Sequence, residues 1–76
     1  MKKLKYAVEQ RLRFIDFLVD HYGSINRAAL TDYFGISVPQ ASADIADYLE
    51  LAPVNMMYNP ILRSYVKGLE FKRVWA

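Results

Sequence analysis

The sequence predicts an α+β domain, a three-helix core followed by a two-stranded β-hairpin. Apolar residues at helical spacing, a glycine turn leading into a cap, and a switch to extended residues after Pro53 carry that prediction. Val8, Leu12, Ile15, Val19 and Tyr22 form one stripe, widened by Phe14 and Leu18, and predict a first helix over 8–22 that Gly23 ends. Phe17 lies off this stripe, beside Arg13 and Asp20. Ser24 is a candidate cap for a second helix over 25–34, with Ala28, Ala29, Leu30 and Phe34 for packing. Gly35 suits the left-handed residue that ends a helix. Ser37 and Gln40 then spell the S-x-x-Q capping box of a third helix. Pro39 is tolerated there because first-turn amides have no partner inside the helix. Ala41, Ile45, Tyr48, Leu49 and Ala52 fall on one face and are predicted to be buried. Pro39, Gln40 and Ala43 fall on the other, with Ser42 on the flank.

Beyond Pro53, residues 55–58 and 63–67 flank the turn Asn59-Pro60-Ile61-Leu62 and read as a hairpin. A short helix, a glycine turn and a second helix with a small, weakly charged leading tip read as a helix-turn-helix, and the hairpin makes it the winged form. Residues 1–67 are therefore read as a winged helix-turn-helix, with a basic lead-in over 1–7. Residues 68–76, where Phe71, Val74 and Trp75 are too apolar for a free end, are read as the start of a linker to a downstream domain.

Charge distribution carries more than the net charge of +2. Residues 1–27 hold six bases and three acids, residues 28–62 no base and four acids, and residues 63–76 four bases and one acid. Basic flanks around an acidic middle suit a chain that grips phosphates at its edges. With no cysteine and one histidine, neither a disulfide framework nor a thiolate metal site is possible, and no cofactor or metal is expected. Apolar runs fall well short of a membrane span and the basic start lacks the apolar core of a signal peptide, so a cytoplasmic protein is expected. A Ser/His/Asp set could be drawn using His21, but helical spacing gives those side chains no reason to meet, so an enzyme is not expected.

The tip of the third helix has the chemistry of base readout. Gln40 can pair bidentately with adenine, Ser42 can reach a base edge or phosphate, and Pro39 and Ala43 can meet a thymine methyl. Asp44, Asp47 and Glu50 would repel phosphates further along, so the helix is expected to enter a groove tip-first. Phosphate contact is assigned to Ser37, Arg11, Arg27 and Arg63. The rival reading is a protein-interaction winged helix that touches no DNA and uses the Phe17 and Trp75 surfaces.

The run RLRFIDFLVDHYGSINRAALTDYFGISVPQASADIADYLELAP, continued by MMYNPILRSYVKG and Phe71, resembles the N-terminal winged helix-turn-helix domain of WYL-domain transcriptional regulators. It is most similar to the repressors beside bacterial anti-phage defence operons. The resemblance implies a repressor that binds a double-stranded DNA operator, acts on the nucleoid as a homodimer, and carries further ligand-sensing and dimerisation segments.

Overall fold

Tyr6–Tyr22 form α1, the longest element, against which both other helices and two of the three strands lie, and its Phe14 ring stacks 4.5 Å from Tyr33. The computed structural model describes residues 5–75. The first four residues of the expected lead-in lie outside that range, and from Tyr6 onward the lead-in is already helical. Leu12, Ile15 and Val19 on α1 are fully buried, as their spacing requires. Gly23 closes the helix in the left-handed conformation, and its N–H donates to the Val19 carbonyl.

The next two residues depart from the sequence reading. Ser24–Ile25 form a short strand, β1, and do not begin a helix. The cap is Asn26, whose side chain accepts from the Ala29 N–H at 3.0 Å, so α2 runs over Arg27–Phe34. Ser24 instead pairs with Val66 across the sheet. The reason is long-range: β1 completes a ladder with a strand some forty residues later, which no local signal announces.

Gly35, at φ 67°, turns the chain into α3, Val38–Leu51. Ser37 caps α3 by accepting from the Gln40 N–H at 3.2 Å, which is one half of the expected capping box. The other half is absent because the Gln40 amide turns along the helix to Asp44. Ala41, Ile45 and Tyr48 are buried as predicted, while Leu49 is only half-buried, and Asp44 joins the inward face.

After Ala52, strands β2 (Met56–Asn59) and β3 (Ser64–Lys67) form the predicted hairpin. With β1 they make a three-stranded antiparallel sheet in the order β1-β3-β2. The Asn59 side chain accepts from the N–H groups of Ile61 and Leu62, which sets the turn.

Of residues 68–76, read from sequence as the start of a linker, those described, 68–75, are held on the domain. Phe71, Val74 and Trp75 pack on the core, and Arg13 lies 5.5 Å over the Trp75 ring. Asp16, fully buried on α1, accepts from the Tyr48 hydroxyl at 2.6 Å, from Arg73 Nε at 2.9 Å and from the N–H groups of Val74 and Trp75. Asn55 ties the same region together by donating to the Tyr48 hydroxyl and the Lys72 carbonyl and accepting from the Lys72 N–H. Among the described residues every buried side-chain nitrogen and oxygen has a partner.

Gly68 makes that return possible. A Cβ there would collide with the Val54 carbonyl, and the Gly68 N–H donates to the Asn55 carbonyl at 2.8 Å.

Candidate nucleic-acid interface

Two features of the sequence determine the tip of α3: Ser37 caps it, and Pro39 stands in its first turn. Beyond the cap, Val38, Pro39, Gln40 and Ala43 are all exposed on one side of the helix, without a charge among them. Ser42, half-buried on the flank, accepts a hydrogen bond from Arg27 Nη1 at 3.2 Å. Since α2 packs on α3, this bond ties the first turn of α2 to the tip of α3.

Arg27 also faces the wing. Together with Asn26, Arg63, Tyr58 and Tyr65 it lines a cleft of about 270 Å³ between the start of α2 and the sheet. Arg63 reaches this cleft from the wing turn in a left-handed backbone conformation, φ 53°, rare for a residue with a Cβ. Tyr58 and Tyr65 are direct partners in the β2–β3 register, with ring centroids 5.0 Å apart. Sequence reasoning assigned Arg27 and Arg63 to phosphate separately; the structure brings them into one cleft. It missed the two tyrosines, whose opposed places in the hairpin were the available signal. Two guanidiniums, two phenol rings and an exposed helix start suit an anionic oxygen bounded by an apolar sugar edge.

Arg11 has a different place from the one expected of it. Its Nε donates to Asp44 Oδ2 at 2.6 Å and its Nη2 to Asp44 Oδ1 at 3.2 Å, with 13% of its side chain exposed. The pair joins α1 to α3 and hides one of the carboxylates that the sequence reading takes to repel phosphates further along the helix; Asp44 is fully buried. Of the acids once counted against DNA on this helix, Asp47 is half-buried and Glu50 exposed, both in its second half.

The wing turn carries Ile61, 90% exposed, and Leu62, 63% exposed, just before Arg63. Of the surfaces invoked for a protein-interaction module, Phe17 is exposed as expected, its ring tilted against His21 with centroids 4.3 Å apart, and Trp75 is half-buried. Among the described residues no cluster of His, Cys, Asp and Glu could hold a metal ion, and no helix is long and apolar enough to cross a membrane.

Residues 7–76 match the family described as the BrxR transcriptional regulator winged helix-turn-helix domain. The chain belongs to that family. The match agrees with the resemblance carried by the helical run and the hairpin, and the fold is the winged helix-turn-helix that both imply. Proteins named DNA-binding transcriptional repressor CapW are similar over nearly the whole chain. One from Pseudomonas aeruginosa is 48% identical and one from Escherichia coli (strain KTE188) 46% identical, each over 71 residues and 93% of this chain. One from Stenotrophomonas maltophilia is 42% identical over 72 residues, 95% of this chain. The chain spans 24% of the length of each of these curated relatives.

Proposed function

We propose that this domain binds double-stranded DNA with sequence preference and serves as the DNA-reading part of a transcriptional repressor. One observation carries the proposal: the exposed start of α3 bears no charge, its inward Asp44 is buried against Arg11, and an arginine-lined cleft stands beside it. Pro39, Gln40, Ser42 and Ala43 meet base edges in the major groove. Ser37, Arg27 and Arg63 meet phosphates, and the cleft seats the backbone of the adjacent strand. Arg11, with two N–H groups already on Asp44, offers the backbone only its outer edge. The role is binding, not catalysis.

The names of the relatives support repression as the outcome, and their greater length supports a domain that works inside a longer regulator. In that regulator a second copy places two winged domains over two half-sites of an operator on the bacterial nucleoid, in the cytoplasm, beside anti-phage defence genes. Linking two such units raises apparent affinity by roughly 10²–10⁴ without a new contact.

Fluorescence anisotropy with labelled duplexes over a salt series tests the proposal. The isolated domain is expected to bind random duplex with a log–log salt slope of about −2 to −4, close to −0.9 per phosphate neutralised. It is expected to prefer a selected site by at least about tenfold, the worth of one bidentate base contact. Undetectable binding at 50 mM salt or below would overturn it.

A further inference from the structure

Gln40 is the tip residue with the richest base-reading chemistry, and an amide reads a base only if its oxygen and nitrogen are in the right order. Turned by 180°, it offers a donor where adenine needs an acceptor. On an exposed glutamine both orders are open.

Here one order is fixed. Gln40 Nε2 lies 3.0 Å from Asp44 Oδ1, one helical turn further on. The same oxygen accepts from Arg11 Nη2 at 3.2 Å, and Oδ2 accepts from Arg11 Nε at 2.6 Å. A carboxylate in a two-point pair with a guanidinium has no hydrogen to give. The amide atom facing it is therefore the nitrogen, for the oxygen would be repelled.

We infer that Asp44 is the positioning residue for base recognition: it holds one N–H of Gln40 and so presents Oε1 and the remaining N–H to the groove in a single order. An acceptor beside a donor is the complement of the N6–H and N7 edge of adenine. Asp44 touches no DNA, being fully buried. Arg11 in turn holds the carboxylate from α1, so the rotamer of a tip residue is braced by the helix behind it. The inference rests on the proposed base contact by Gln40.

A site selected from random duplexes, then varied through all four base pairs at each position, tests it with wild type, Gln40→Ala, Asp44→Asn and the double variant. Gln40→Ala and Asp44→Asn are each expected to reduce preference at the same single base pair by about tenfold, with no further reduction in the double variant. A folded Asp44→Asn that keeps the wild-type preference overturns the inference, as does one that loses affinity equally for every sequence or multiplies its effect with Gln40→Ala. If Gln40→Ala itself leaves every preference intact, it is the base contact that fails. Should Asp44→Asn not fold, nuclear magnetic resonance on the free wild-type domain decides. The Gln40 side-chain amide is expected to be as ordered as rigid backbone, with an order parameter near 0.85. A value below about 0.6, that of a flexible group, overturns the inference.

Discussion

Asp16 and Asp44 are both fully buried carboxylates, both face an arginine, and both join α1 to α3, yet they serve opposite ends of the molecule. Asp16 is enclosed: the Tyr48 hydroxyl, Arg73 and two backbone N–H groups of the tail use its acceptor positions. Burial and the Asp16 hydrogen bond push the Tyr48 hydroxyl far above its usual range, so it stays a donor at any ordinary pH. Asp44 receives Arg11 and one N–H of an exposed amide, so part of what it holds faces solvent. A buried charge satisfied by backbone fixes a fold, whereas one satisfied by a surface side chain fixes that side chain's presentation. This contrast separates the scaffold from the proposed reading surface.

The largest expected effect lies on the enclosed side. Asp16→Ala strands Arg73, Tyr48 and two tail N–H groups together, and a loss of about 3–5 kcal/mol in urea unfolding is expected. In a domain this small that approaches the whole stability. A loss below about 1 kcal/mol would show that the tail is not part of the folding unit.

On the other side the effect is smaller and repairable. Arg11→Met leaves Asp44 buried without its cation and is expected to cost about 2–4 kcal/mol, read by the same unfolding measurement. The double variant Arg11→Met, Asp44→Leu is expected to recover most of that loss, because a buried pair replaced by apolar groups is nearly neutral. It should not recover base preference. Stability and preference returning together would erase the distinction between the two carboxylates.

A smaller effect, at the rim of the Asp16 cluster, depends on pH. The Arg73 guanidinium, helped by Lys67, holds the Asp20 carboxyl below its usual range, against the opposing effect of burial. The folded value lies below the unfolded one, about 3.9, so this contribution is full above that pH and is lost as pH falls through the folded value. Thermal melts between pH 5 and about 2 should show a steeper acid limb for wild type than for Asp20→Asn. Parallel limbs would place the acid sensitivity elsewhere.

The smallest effects on stability are expected at the cleft. Arg27→Ala and Arg63→Ala should each change unfolding free energy by less than about 0.5 kcal/mol. Each should lower the salt slope of DNA binding by about one unit and weaken all sequences alike. A sequence-selective loss at Arg63 would mean that the wing reads bases.

Much of this was legible without coordinates. The stripe of α1, the left-handed glycines, the Ser37 cap and the Asn59 turn depend on residues within about four positions of one another, so the chain displays them directly. The weakly charged tip of α3 was visible for the same reason. Spacing could not reveal β1, because two residues are too few to show a strand period, and Ser24 and Ile25 become a strand only because Val66 and Tyr65 lie beside them. The partners of the acids were equally hidden. Asp44 looked like a repulsive charge because Arg11 is thirty-three residues away, and the tail looked loose because Asp16 is nearly sixty residues before Trp75. Local sequence determined the elements and which face of each is apolar, since backbone hydrogen bonding and side-chain period act over one or two turns. Tertiary structure alone decided which charges are buried and what they hold, because a carboxylate is stable in the interior only where distant donors converge on it.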